Sequence, residues 1–342
     1  MKGCGLFFLT MSIIFSMTNP IRIGVLGAAA IVPPALTNPA QDVPEVQIVS
    51  IAARDPNRAD AFARRHKIPR MHRTYADLIS DPEIDAIYNP LPNGLHSEWT
   101  IKALQAGKHV LCEKPFSSNA KEAVEMAEAA KESGKILSEA FAYRYHPLTA
   151  RVKEIISNGE LGAIKHIEAQ FCFLLPVPSN IRFRYDLAGG SLMDAGCYPV
   201  SLVRYLMGEE PEVLSAKAKE YKPDVDSRME AELKFPNGAH GRIVSDMLSP
   251  RLFHSSLLVQ GDAGEIKVFS PFQPHVIHRL NVRTNKTQWS GTINGGNIYT
   301  LQLRAFAQAI LSGAPLNTTP EDAIQNMRVI DAIYQKAGLP LR

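Results

Sequence analysis

The chain is poor in the features that would assign it quickly. Its four cysteines, Cys4, Cys112, Cys172 and Cys197, form no CxxC pair and no metal-like spacing. That excludes a disulfide-stapled scaffold and a cysteine-built zinc site, and reads as reduced core thiols. His254, His275 and His278 have no carboxylate or cysteine at ligand spacing, so no metal is expected. No long basic run exists, and Lys+Arg 37 against Asp+Glu 34 leaves a net charge of +3. A nucleic-acid footprint is therefore not expected. Glycine is scarce where a dinucleotide turn would need it: in "GVLGAAAIV" the three fingerprint positions are Gly27, Ala29 and Val32.

What is present is ordinary globular composition, 45% hydrophobic and 21% charged over 342 residues, long enough for two domains. The first 18 residues stand apart. "MKGCGLFFLTMSIIFSM" has the lysine and apolar run of a signal peptide or anchor, yet is short for a membrane span and lacks a clear cleavage site. It reads equally as a stretch upstream of another start at Met17. From Ile21, apolar runs alternate with helical spacing: "IRIGVLGA", "VQIVSIAARD", "IDAIYNPLPN", "HVLCEKP" and "KILSEAF" are strands separated by helices. Nearly continuous apolar strands predict a parallel sheet covered on both faces, an α/β Rossmann domain over residues 19–140. Asn119 with Glu122 predicts a capping box, and Gly134 closes that helix.

The second half alternates more, with hairpin turns at "FPNGAH" and "GDAGE". An α+β domain over residues 141–342 with a mainly antiparallel open sheet follows, with helices near 147–157, 190–207, 298–312 and 320–337. An open sheet face predicts a self-partner, a homodimer or homotetramer.

At the end of the second strand, where a carboxylate would bind the ribose of NAD, the chain has Arg54; a guanidinium there suits the 2′-phosphate of NADP, with NAD still possible. Asp55 either caps the next helix or faces the ribose. Asp194 and Tyr198 lie four apart in a helical stretch and so share a face. A phenol is a poor base near neutrality unless a cation favours phenolate, and Lys114 would supply that cation if the domains meet at the strand end.

The stretches "GVLGAAAI", "AARDPNRADAFA", "PLPNGLHSEWTIKALQAGKHVLCEKPFSSNAKEA", "EAFAYRYHP", "GGSLMDAGCYPV" and "NMRVIDAIYQKAG" together resemble the glucose-fructose oxidoreductase/inositol dehydrogenase (Gfo/Idh/MocA) family. Within it the chain is most similar to NADP-dependent D-xylose dehydrogenases and dimeric dihydrodiol dehydrogenases. The resemblance implies an NADP-dependent oxidoreductase acting on a sugar, aldose C1 to lactone, or on a vicinal diol. It implies Lys114 as catalytic lysine, with Tyr198 and Asp194 as general acid/base and substrate-side carboxylate. Gly27, Ala28, Ala29, Ile31, Arg54, Leu91, Pro92, Asn93, His96, Glu113 and Lys114 would line the cofactor cleft. Tyr143, Arg144 and Arg182 would reach the substrate, although Arg144 could equally be an ion pair at the domain interface. A carbonyl or keto-sugar reductase and a non-catalytic NADP-binding regulator are the alternatives. The cytoplasm is the expected location, unless residues 1–18 act as a signal or anchor.

Overall fold

The computed structural model describes residues 19–177 and 179–342, so the apolar extension, Cys4 and Met17 lie outside the described residues. The first sheet contains β1 (Ile21–Leu26), β2 (Val46–Ala52), β3 (Arg70–His72), β4 (Ala86–Asn89), β5 (His109–Cys112) and β6 (Leu137–Glu139). Their order is β3-β2-β1-β4-β5-β6, and every pair is parallel. The central strands are short and buried on both faces, as in Ala86–Asn89, where all four residues are buried, while the edge strand β3 is half-buried. The connecting helices are α1 (Pro56–His66), α2 (Tyr75–Ser80), α3 (His96–Gln105) and α4 (Ala120–Ser133). The order reverses between β1 and β4, the point at which such sheets open a crevice at the carboxyl ends of their strands.

Local chemistry sets the helix ends. Asn119 Oδ1 accepts from Glu122 N at 3.1 Å, while Glu122 Oε2 accepts from Ser118 N at 2.9 Å. The carboxylate thus reaches one residue further back than the ordinary box. Asp55 caps α1 through Asn57 N at 2.9 Å, the first of its two readings.

The second unit follows α5 (Pro147–Ser157). It contains β7 (Ile164–Leu174), α6 (Cys197–Met207), β8 (Glu212–Lys222), β9 (Val225–Lys234), β10 (His240–Asp246), β11 (Leu248–Gly261), β12 (Gly264–Phe269), β13 (Arg279–Thr284) and β14 (Gln288–Gly291). These eight strands form one sheet in the order β14-β13-β12-β11-β7-β10-β9-β8. Only β7 and β10 pair in parallel. α6 packs on β7 and β10, and its other neighbours include α5 and α8 (Pro320–Lys336). The opposite face of the sheet carries alternating polar residues, with Phe269 still 42% exposed.

The chain then returns to its beginning. α7 (Ile298–Ser312) packs against the segment after β1, and Leu303, Phe306 and Ala307 join the cluster of Ile21, Ile23 and Val25. Phe306 and Leu303 are 1% and 0% exposed, and each buried side chain contributes about 1.5–3 kcal/mol. α8 in turn packs on α4 and β8, bridging the two sheets.

Candidate active site

The carboxyl end of β1 turns sharply at Gly27, whose φ of +97° lies in the left-handed region and whose N–H donates to Ala52 O at 2.6 Å. Ala28 is buried and Ala29 and Ile31 are half-buried beside it. The helix expected next, with its N-terminus toward a phosphate, is instead a five-residue π-type turn, Pro33–Thr37. Two adjacent prolines remove N–H donors from its start, so the anion-binding capacity of a full helix N-terminus does not form here.

The positive charge comes from the neighbouring strand. Arg54 is exposed at the end of β2 and, among the described residues, makes no ion pair. Arg58 stands a turn further along α1 and donates from Nη2 to Ala28 O at 2.9 Å, holding a second guanidinium against the Gly27 turn. Sequence reasoning missed Arg58; its i, i+4 spacing from Arg54 was the available signal. A glycine turn and two guanidiniums free of carboxylates fit a phosphorylated dinucleotide.

Across the crevice, Leu91 is buried, its N–H meeting Asn89 Oδ1 at 3.3 Å, and a Cβ on Gly27 would lie 3.2 Å from Leu91 Cδ2. Pro92 follows, and Asn93 Nδ2 donates to Ala188 O at 3.0 Å, tying this turn to the second domain. His96 does not line the cleft as expected. It is fully buried, and its ring nitrogens lie 2.8 Å from the carbonyls of Pro115 and Leu91. Burial holds its pKa down at about 4 against the pull of those carbonyls, so it is a brace behind the crevice. Glu113 receives the Tyr88 hydroxyl at 2.6 Å; burial raises its pKa, opposed by that bond and by Lys114.

Lys114 extends from the end of β5, before a cis bond to Pro115. Its Nζ donates to Asp194 O at 2.8 Å, lies 3.5 Å from Asp194 Oδ1, and sits 4.9 Å from the centre of the Tyr198 ring. Arg182 Nε approaches the same carboxylate oxygen at 2.8 Å. Asp194 comes from a π-type turn, Leu192–Gly196, leading into α6. Burial pushes its carboxyl up, but Lys114 and Arg182 outweigh that and hold it below the ordinary range. Lys114 has the mirror behaviour: burial would lower it, and Asp194 first of all holds it above its ordinary value.

Tyr198 sits in an aromatic box of Phe141, Phe171 and Phe272, with centroids at 5.4, 5.3 and 5.4 Å. Burial, then the nearby Tyr299, Glu113 and Asp194, raise its pKa well above 10. That direction runs against the phenolate that a nearby lysine would favour. Lys114 Nζ lies 4.9 Å from the ring centre, yet burial is the largest influence on the phenol.

Tyr143 and Arg144 direct their polar groups away from the lysine–aspartate centre, although the Tyr143 ring packs 5.9 Å from that of Tyr198. Tyr143 is fully buried and donates to Ser201 Oγ at 2.9 Å. Arg144 binds Asp322 Oδ2 at 3.2 Å and Asn317 O at 2.9 Å, and stacks 3.8 Å from the Tyr205 ring. It is an ion pair within the second domain, tying Arg144 to Asp322 in the first turn of α8 and to Asn317 just before that helix. Of the expected substrate residues, only Arg182 meets the lysine–aspartate centre. Tyr299, unforeseen, enters from the first turn of α7, its ring 5.6 Å from His275. Burial and Glu113 raise its pKa to about 12. No local pattern marks it, since only the return of α7 brings it here.

A parallel β3-β2-β1-β4-β5-β6 sheet, a cationic crevice at its switch point and a lysine meeting a carboxylate and a phenol from a second domain define a nicotinamide-dependent oxidoreductase class. Comparison with known proteins narrows this. Residues 21–141 match the model of an oxidoreductase family with an NAD-binding Rossmann fold, and residues 149–267 match the GFO/IDH/MocA C-terminal domain; the chain belongs to the GFO/IDH/MocA family. It is 36% identical over 320 residues to D-xylose 1-dehydrogenase (NADP(+)) 2 of Haloferax volcanii, covering 93% of this chain and 97% of that protein. It is 32% identical to trans-1,2-dihydrobenzene-1,2-diol dehydrogenase of Sus scrofa, covering 66% and 67%. Among solved structures, a 3-ketoreductase from Actinomadura kijaniata in complex with NADP and TDP-benzene superposes with a TM-score of 0.86 at 28% identity, covering 93% and 98%.

Proposed function

We propose that the protein is an NADP-dependent dehydrogenase that acts on a CH–OH group of a sugar, aldose C1 to lactone, or of a vicinal diol. The observation that carries this reading is the meeting of Lys114 Nζ with Asp194 and the Tyr198 ring across the domain seam. The named activities of the similar xylose and dihydrodiol dehydrogenases agree with it. Arg54 and Arg58 would hold a 2′-phosphate, the turn at Gly27, Ala28, Ala29 and Ile31 the pyrophosphate, and Glu113 the nicotinamide ribose. When bound, the nicotinamide supplies the hydride acceptor or donor.

The chain's own residues do the rest. Lys114 presents its ammonium to the substrate oxygen and stabilises negative charge developing there. Asp194 orients that ammonium, and Arg182 keeps the carboxylate ionised. Tyr198 carries the proton. In the reductive direction its protonated hydroxyl donates to the nascent alkoxide oxygen. In the oxidative direction it must first release that proton, so oxidation should accelerate as pH rises and reduction should slow. The similarity to a 3-ketoreductase of Actinomadura kijaniata supports a second reading, a keto-sugar reductase working physiologically in reverse. A purely regulatory binder of NADP would have no use for this charged, buried pair.

The test is absorbance of reduced nicotinamide with the purified full chain, NADP or NAD, and a panel of pentoses, hexoses and trans-diols. Reduction of NADP by one class supports the reading; silence with NADP still bound moves it to the reductase assay with keto-sugars. We further propose self-association through the outer sheet face, where Phe269 is 42% exposed, tested by light scattering. No helix among the described residues is long and apolar enough to cross a membrane. The three buried free thiols Cys112, Cys172 and Cys197 suit a cytoplasmic protein, tested by cell fractionation.

A further inference from the structure

Lys114 and Asp194 belong to different domains, so their separation is set by contacts elsewhere. One residue touches the segments that carry both. Arg342 accepts at its backbone oxygen from Asn119 Nδ2 at 2.7 Å, and Asn119 is the N-cap of α4, in the segment that leaves Lys114. Its guanidinium donates from Nε to Gly189 O at 2.8 Å and from Nη2 to Asp226 Oδ1 at 3.0 Å. The side chains of Arg342 and Asp226 are both 0% exposed in this pair.

Asp226 passes the restraint on. Its other oxygen accepts from Leu192 N at 2.7 Å, at the start of the turn that carries Asp194. Tyr334 donates its hydroxyl to Asp226 Oδ1 at 3.0 Å and offers its ring to Arg342 at 4.0 Å. Gly190 makes room for this. Its φ is +135°, and a Cβ there would lie 2.2 Å from Asp226 Oδ1. Asp194 N in turn donates to Gly190 O at 3.0 Å. A buried ion pair with hydrogen bonds on both partners is a rigid, directional link, and arginine's planar fork is what lets it hold two acceptors at once.

We propose that Arg342 and Asp226 form a latch that positions the turn carrying Asp194 against the segment carrying Lys114. Neither residue touches the reacting groups; both are positioning residues. Loosening the latch lets Asp194 drift from Lys114, and misplacement by about 1 Å costs up to roughly 100-fold in turnover. It also withdraws the carboxylate that keeps Lys114 charged. The other groups facing that ammonium, Tyr198, Cys197, Arg182 and Glu113, stay with their own elements.

Arg342→Lys is the first variant, since it keeps a cation beside Asp226 and loses the fork to Gly189. Asp226→Asn is the second, since it keeps an acceptor for Leu192 N and removes the charge. Both are measured in the full chain well below their melting temperatures. Turnover should fall roughly 10–100-fold in each, with NADP affinity unchanged. The pH dependence of Lys114 modification by trinitrobenzenesulfonate, read by peptide mapping, should move to lower pH. Wild-type turnover in a folded Arg342→Lys protein would overturn the latch. So would lost turnover with an unmoved Lys114 titration, which marks a merely structural role. The proposal rests on the dehydrogenase reading only for turnover. If the wild type proves inactive that reading fails, while the Lys114 titration still decides the latch.

Discussion

The two sheets solve different problems with the same chain. In the first, strands such as β4, four residues long, are parallel and covered on both sides, so everything chemical is pushed to the turns at their carboxyl ends. In the second, β11 runs for 14 residues and one sheet face packs on helices while the other faces outward. There the strands supply a wall, Phe171 and its neighbours, and the reactive groups come from the loop and turn before α6 and from its first turn. The first domain therefore offers charges at fixed positions, and the second decides what those charges meet.

Lys114→Ala tests this division most severely. Turnover should fall by about 10²–10⁴, with NADP affinity measured by fluorescence titration nearly unchanged. Near-normal turnover would remove the lysine from the chemistry. Asp194→Asn attacks the same contact from the other side. It leaves two cations, Lys114 and Arg182, without their half-buried anion, and should cost about 1–3 kcal/mol in urea unfolding. The pH dependence has a definite sign. Asp194 is held below its ordinary pKa, so its stabilisation is present above the ordinary carboxylate range and is lost as pH falls through the folded value. Lys114 is held above its own, so its contribution persists below the ordinary lysine range and is lost as pH rises through the folded value. The asparagine variant should flatten both limbs of a plot of melting temperature against pH.

Arg54→Ala should act on the first domain alone. Loss of a charge-assisted hydrogen bond of about 1.5–3 kcal/mol should weaken NADP roughly 10–100-fold and leave NAD unaffected. Equal loss for both cofactors would move the phosphate contact to Arg58. Smallest should be Asn93→Ala, which removes one bond between the domains, to Ala188 O, and should cost about 0.5–1.5 kcal/mol in thermal unfolding.

Much of the first domain was readable because its signals are local. Continuous apolar strands, the Asn119 cap and the turn at Gly27 each declare themselves within a few residues. The short turn at Pro33–Thr37 was missed because strand–helix alternation outweighed two prolines that were in plain view. Arg144 and Asp322 could not be assigned to each other from their own surroundings, nor could His96 be told from a cleft residue. Each depends on what a distant segment places opposite it.

The sequence by itself determined the element order, the α/β and α+β halves, the identity of the strand-end lysine and the spacing of Asp194 and Tyr198, because hydrophobic period and capping act over one or two turns. The tertiary structure alone decided that α7 returns to the first core with Tyr299, that Arg58 joins Arg54, that Tyr198 is set in an aromatic box and that Arg342 reaches Asp226. Burial and the charges across a seam are properties of chain segments brought together from far apart, and no local pattern encodes them.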